Sequence, residues 1–470
     1  MGAVQLLRDA RHPAALPHGR HRERRPGARR RHRRGARRHL RQRGVPAVGG
    51  RRVADRVIGA RRSTLYGGIV IAAGHVFLAV PGAGFTYLGI VLVAWGTGLL
   101  KPNVSSMVGE LYERDDPRRD SAFSIFYMGI NIGSLFAPIL VGIANQIGGY
   151  HAGFAVAAVG MSVALVFFVA GRRFLPGAGD DVPNPIEPRE RGKIVRLGAM
   201  IVGGVALIYL VAVGVAGSWG ITSVVDALSY LALLAPILYF VVMYRSPRVT
   251  DVERPRLVAY IPLFVAAMVF FMIFEQAATT LTTFARDRTQ LELFGVEVSP
   301  AFFQSVNPAA IIVLAPLFAW LWVRTRDRPP TPYKFAIGLA LAAASFLFLS
   351  GASAVVGEGL APAWVLVVVY VVQTLGELCL SPVGLAATTL LAPRAFRGQA
   401  MALWFLASSA GQAITAQLVQ VTDGASDTAY FGWTGAVALA CAGVVWALSP
   451  WVTRHVRRAD TMEGVHTAGE

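Results

Sequence analysis

Three ionisable side chains fall where a lipid-spanning segment would hold them, one cationic and two acidic. Lys101 lies inside the apolar run 85–108, and an uncompensated charge at bilayer depth costs roughly 2.5–3.5 kcal/mol on insertion scales. Of the 45 Lys and Arg residues only three are lysines. The other two, Lys193 and Lys334, stand at the polar starts of apolar segments, where a long side chain can snorkel to the interface. Lys101 could do the same, or cap a carbonyl loosened by Pro102. Glu275 sits in the middle of VAAMVFFMIFEQAATTLTTF. A carboxylate there is a candidate proton carrier, because desolvation opposes its charge; the plainer alternative is one half of a static structural pair. Glu377, in VVQTLGELCLSP, is equally deep, with Gly376 and Pro382 nearby to loosen the helix. Asn131 and Asn307 each add an amide, donor and acceptor at once, suited to a polar solute or to tying membrane helices together.

Positioning such groups requires a polytopic membrane protein, and the composition agrees. The 470-residue chain is 54% hydrophobic, too apolar for a soluble globule. From residue 53 onward it holds twelve apolar segments, near 63–81, 85–108, 121–144, 152–171, 197–216, 222–243, 257–283, 301–323, 335–353, 362–390, 399–421 and 429–450, and most are long enough to span a bilayer. Alternate loops carry 27 of the 45 Lys and Arg residues, and the six opposite loops hold only Arg286 and Arg288. By the positive-inside rule the basic loops and the C-terminus face the cytoplasm. The linker GAGDDVPNPIEPRERG precedes a helix pair with little polar chemistry beyond Asp226, read as a peripheral pair with an interfacial aspartate. Gly129 and Gly133 form a small-xxx-small pair expected at a close helix contact. Cys379 and Cys441 both fall inside apolar spans, so neither a disulfide framework nor a metal site is expected. No nucleophile motif or phosphate loop points to an enzyme.

Residues 1–43 hold 15 arginines against Asp9 and Glu23, a local surplus of +13 within the net +18. Residues 2–52 use only ten residue types, all encodable by codons beginning with G or C, the pattern of a displaced reading frame in a GC-rich gene. Shifted by one base, a back-translation of Met1–Leu16 reads W-E-R-F-S-Y-Y-G-M-R-A-I-L-L-L-Y. We therefore expect residues 1–52 to be out of frame with two membrane helices, which resequencing of the locus decides. The rival reading is a disordered basic arm for nucleic acid or anionic lipid; it lacks the aromatic interleaving that stacks on bases.

The stretches GTGLLKPNVSSMVGELY and DDPRRDSAFSIFYMGINIGSLFAPILVG resemble the proton-dependent oligopeptide transporter (POT) family of the major facilitator superfamily. VADRVIGARR at 53–62 looks like the facilitator loop after the second helix, FEQAATTL at 274–281 like the family's seventh helix and GELCLSPVGL at 376–385 like its tenth. The resemblance implies an all-α major facilitator fold: an N-terminal bundle (53–172) short of its first two helices, a linker with an inserted helix pair (173–250), a six-helix C-terminal bundle (251–455) and a cytoplasmic tail (456–470). The family's E-x-x-E-R-F motif on its first helix is missing from this chain. The shifted frame offers W-E-R-F-S-Y-Y at that place.

The same resemblance implies proton-driven uptake of di- and tripeptides by alternating access, with Glu275 and Lys101 in proton coupling and gating. Glu377 would bind the peptide's amino terminus and Lys101 its carboxylate. Asn131 and Asn307 would serve the peptide bond, and Trp404 with Ser408 would form a pocket wall, although Trp404 could equally be packing. Asp55, Arg61 and Arg62 match the loop that latches cytoplasmic helix ends, and Arg286 with Asp287 is a candidate extracellular gate pair. The expected setting is the inner membrane, as a monomer in lipid, with protons as coupling ion, no other cofactor, no metal and no nucleic acid. Two rival readings are a non-transporting remnant of such a carrier and a hydrophobic-drug exporter of the same superfamily.

Overall fold

A computed structural model of the chain describes residues 58–110, 118–174, 191–217, 219–293, 295–325, 328–422 and 424–467. The arginine-rich segment 1–52 and Asp55 lie outside the described residues, as do the side chains of Lys193 and of the tail from 456. The rest is helical because backbone polar groups in lipid must be satisfied within their own segment.

Twelve α-helices follow in order among the described residues: α1 (Ala60–Ala79), α2 (Ala83–Glu110), α3 (Arg118–Ala170), α4 (Arg191–Ala216), α5 (Ile221–Arg245), α6 (Glu253–Phe274), α7 (Thr280–Arg288), α8 (Val306–Arg324), α9 (Thr331–Val356), α10 (Ala363–Leu391), α11 (Arg397–Val421) and α12 (Asp427–Thr467). Helix α3 holds two apolar segments divided at Gly148 and Gly149; Gly149 adopts φ 71°, which favours glycine. Eight stretches are long and apolar enough to cross a membrane, one being the whole of 125–170. The rest of the order is the nine-residue α7 and α1, α4 and α11, whose apolar runs are shorter or interrupted by glycine and glutamine. One small departure from all-α is a hairpin, Glu292–Leu293 against Val296–Glu297, turned at Gly295.

One continuous cluster of buried apolar side chains runs from Met243 to Val452, drawn from α5–α12 and their connections, with Leu263, Phe270, Phe335, Leu339, Leu366 and Phe431 at its centre. Helices α9 and α10 approach backbone to backbone: a Cβ on Gly376 would stand 2.6 Å from the Gly338 carbonyl oxygen. Helix α11 does the same to α6 at Gly411, 2.7 Å from the Met268 carbonyl.

Four expectations need correction. Gly129 and Gly133 have nothing within 4 Å of an added Cβ; the close contacts of the N-terminal helices are made by Gly67 with Gly96 and Gly74 with Gly89, between α1 and α2, because the glycine face of α3 meets no described helix. Asp226 is buried rather than interfacial: α5 lies against α11, and the carboxylate accepts hydrogen bonds from Gln417 (2.8 Å) and Gln420 (3.2 Å). Lys334 does not snorkel. It is 1% exposed, with its ammonium 4.2 Å from the centre of the Trp322 ring, where the cation is attracted to the aromatic face. Finally, the span 257–283 is not one helix. It breaks after Phe274 into a 3-10 turn, Glu275–Ala278, and restarts at Thr280.

Candidate functional site

The break at Glu275–Thr279 organises the site. Thr279 leaves helical geometry (φ −123°, ψ −95°), freeing carbonyls that must find partners inside a membrane protein. Side chains supply them. The Ala277 carbonyl accepts from Tyr370 Oη (3.0 Å) and Thr282 Oγ1 (2.8 Å). The Met272 carbonyl accepts from Gln276 Nε2 (2.9 Å) and Thr415 Oγ1 (2.8 Å). Gln276 in turn accepts from the Tyr430 hydroxyl at 2.9 Å. Five side chains from five elements therefore hold this irregular backbone in place.

Glu275 stands on the broken turn, partly buried, and Ser408 of α11 donates to its Oε1 at 2.8 Å. Glu377 projects from mid-α10, and Asn307, in the first turn of α8, donates to its Oε2 at 2.9 Å and also to Thr374 Oγ1 at 2.9 Å. Beside Glu275 opens a cleft of about 500 Å³, counting its mouth, lined by Phe274, Glu275, Ala277, Ala278, Gln304, Asn307, Tyr370 and Gln373; Glu377 does not line it and is joined to it through Asn307. Each acid thus has one oxygen held by a neutral donor. Such a site can take up a proton or bind a cationic group without moving its framework.

The N-terminal helices reach this site through α3. Asn131 is buried, donates to the Tyr127 carbonyl (2.9 Å) and lies against the Tyr127 ring hydroxyl. Tyr127 is itself within electrostatic reach of Glu377. Further along α3, the Leu135 carbonyl accepts from Ser305 Oγ at 2.8 Å, and Gly142 faces Ser299 so closely that an added Cβ would come within 2.9 Å. Lys101 is exposed on α2. The hydrogen bonds of Glu275 and Glu377 go to Ser408 and Asn307, not to Lys101.

Glu275, Glu377, Asn307 and Ser408 are therefore brought together, with Asn131 one residue layer away through Tyr127. Trp404 is packing: it is buried 4% exposed between Phe271 (5.9 Å) and Phe335 (6.3 Å), over Gly384, outside the cleft lining. Arg286 pairs with its neighbour Asp287 at 2.7 Å on the exposed surface and lies within hydrogen-bonding reach of Tyr150 on α3. The guanidinium holds the Asp287 carboxyl below the ordinary carboxylate range. The bridge between helices is made instead by Arg288, to Asp427 of α12 at 3.0 Å. Arg61 is buried and Arg62 exposed at the start of α1. Sequence reasoning missed Tyr127, Tyr370, Thr374 and Gln304. The available signal was a polar or hydroxylated residue one or two helical turns from a chosen acid or amide, as Thr374 and Tyr370 are from Glu377 and Tyr127 is from Asn131.

The sequence profile described as PTR2, POT family, matches residues 61–434. The uncharacterized transporter YclF of Bacillus subtilis (strain 168) is 45% identical over 409 residues, covering 86% of this chain and 82% of its own. A di-/tripeptide transporter of Lactococcus lactis subsp. cremoris is 41% identical over 403 residues, 82% of this chain and 80% of its own. The crystal structure of a peptide transporter POT in complex with sulfate superimposes with a TM-score of 0.81 at 48% identity, covering 86% of this chain and 83% of that one.

Proposed function

The chain belongs to the POT family, and from that premise we propose that it carries di- and tripeptides into the cell in symport with protons. One observation supports the site most directly: a cleft at a broken helix is lined by Glu275 and by Asn307, which donates to Glu377, so that two acids on different elements are each held by a neutral donor. Discontinuous helices at the bilayer midplane are where carriers bind substrate and coupling ion.

Glu377 then receives the peptide's ammonium, with Asn307 orienting the carboxylate. Asn307 and Asn131 offer amides to the peptide bond. Lys101, on the other half, takes the peptide's carboxylate as the halves close. A proton on Glu275 removes one charge from the cleft and frees Ser408, so the loaded site reorients without stranding an anion in lipid. Trp404, one turn before Ser408 on the same helix, packs that helix against Phe271 and Phe335, and Asp55, Arg61 and Arg62 latch helix ends. The basic-loop ends and the C-terminus face the cytoplasm, the hairpin end faces outward, and the carrier works as a monomer in the inner membrane. The chain in proteoliposomes should accumulate a labelled dipeptide only under an inward proton gradient, and a protonophore should release it. Accumulation that ignores the gradient overturns symport.

A second reading, the non-transporting remnant, draws on the uncovered glycine face of α3 and the exposure of Trp95 on α2 (67%). Expressing the chain beside one with the shifted frame restored separates the two readings: equal uptake removes the remnant. Export of a hydrophobic dye instead of peptide uptake would favour the drug exporter.

A further inference from the structure

The donors along the cleft beside Glu275 are engaged within the protein. The Asn307 amide donates to Glu377 and Thr374, Gln304 Nε2 to Thr282 Oγ1 (3.0 Å), and the Tyr370 hydroxyl to the Ala277 carbonyl. Gln373 Nε2 reaches Ser345 Oγ of α9 at 3.2 Å. That serine gives its own hydrogen to the Ala342 carbonyl at 2.7 Å, so it accepts from Gln373, which sets the amide's orientation. The other arm of this amide has no partner. Gln373 is 1% exposed, and its Oε1 is a buried acceptor without a hydrogen bond. No other residue lining this cleft carries such an orphaned side-chain atom.

Native interiors leave few buried acceptors unmet, because each one keeps its desolvation penalty without return. A hydrogen-bond donor entering the cleft relieves that penalty at Gln373, whereas an apolar group of the same size leaves it in force and excludes water as well. The rest of the wall includes Phe274, Ala277 and Ala278, apolar surface against which the stem of a side chain can pack. Glu377, to which the proposed function gives the peptide's ammonium, does not line this cleft, so the cleft is left for another part of the same molecule. A cationic side chain there would pair with Glu275 and compete with the proton proposed for it. A neutral donor would not.

We propose that this cleft is a side-chain subsite for the carried peptide and that Gln373 is its specificity residue, with Oε1 accepting a hydrogen bond from a neutral donor such as a carboxamide or hydroxyl. Because this rests on the peptide-carrier reading, binding and transport are measured separately. The full chain, purified in detergent, is titrated calorimetrically with Ala-Gln and Ala-Met, whose side chains are of similar size with and without a donor, and with the reversed pair Gln-Ala and Met-Ala. In one of the two orders the glutamine peptide should bind roughly 5- to 10-fold more tightly than its methionine counterpart. Gln373→Met keeps the bulk and removes the acceptor, and should abolish that preference. Ser345→Ala frees the amide to turn and should lower the preference by less. Asn131→Ala should weaken both peptides alike and leave their ratio in place. A ratio taken on one sample separates lost recognition from misfolding, since an inactive fraction affects both peptides equally. Equal binding of the two peptides, as an ordered water on Oε1 would give, or a preference that survives Gln373→Met, overturns the subsite while gradient-driven uptake keeps the carrier reading. Tighter binding of Ala-Lys than of Ala-Gln overturns the neutral donor. The expected preference in a chain that shows no gradient-driven uptake would support the subsite and remove transport.

Discussion

Around Glu275 and Glu377 most of the hydrogen-bonding partners come from another element, whereas among the described residues the polar groups of the N-terminal helices bond mainly within their own. Asn131 reaches back to Tyr127, Asn103 to Leu99 and Thr97 to Val93, each one turn along the same helix. In the C-terminal helices Ser408, Asn307, Tyr370, Thr415 and Tyr430 all cross to a different element. The apolar groups divide in the same way, with the continuous buried cluster confined to the C-terminal side. A carrier half that holds its shape by cross-helix bonds can keep a charge deep in lipid, while a half tied along its own helices can tilt against it. On the proposed function, proton chemistry belongs with the half bonded across its helices and reorientation with the other.

That contrast breaks most sharply at Glu275. Glu275→Gln should abolish gradient-driven accumulation of a labelled dipeptide while leaving counterflow exchange; an unchanged gradient response would remove the proton role from the C-terminal half. Next comes substrate affinity. Glu377→Ala should raise the KM for dipeptides by roughly 10- to 100-fold, the scale of a lost charge-assisted hydrogen bond, and Asn131→Ala by only a few-fold. Reversed magnitudes in uptake assays would place the binding on α3. Packing gives a smaller contrast. Gly411→Ala pushes a methyl group towards the Met268 carbonyl 2.7 Å away and should cost about 1–3 kcal/mol, whereas Gly129→Ala, with open space around it, should leave the melting temperature unchanged. The smallest effect is expected at Asp287. Arg286 holds its carboxyl low, so any stabilisation is present above the ordinary carboxylate pKa and fades as pH falls through the lower folded value. The pair is exposed and adjacent in sequence, so Asp287→Asn should leave melting at neutral pH unchanged.

Most of this architecture was legible because lipid leaves the chain few choices. Apolar runs at 222–243, 335–353 and 362–390 became helices within a few residues of those limits. Glu275, Glu377 and Asn307 could be chosen from depth and residue type alone. The break after Phe274 could not, since EQAATT has neither glycine nor proline; it exists because the hydroxyls of Tyr370, Thr282 and Thr415, up to 141 positions away from Phe274 in sequence, donate to the backbone carbonyls around it. Lys334 and Asp226 were misplaced for the same reason. A charge near a segment end reads as interfacial until the neighbouring Trp322, or Gln417 and Gln420, are seen to enclose it.

Where α3 meets the residues before α8, the join consists of Gly142 under Ser299 and one serine hydroxyl on the Leu135 carbonyl. A clasp made of such small parts can part and re-form without dragging bulky side chains past one another. Its grip is also set by very few atoms, so one added methyl at Gly142 should act as a wedge that keeps this doorway from shutting, and cargo could then leak back the way it came.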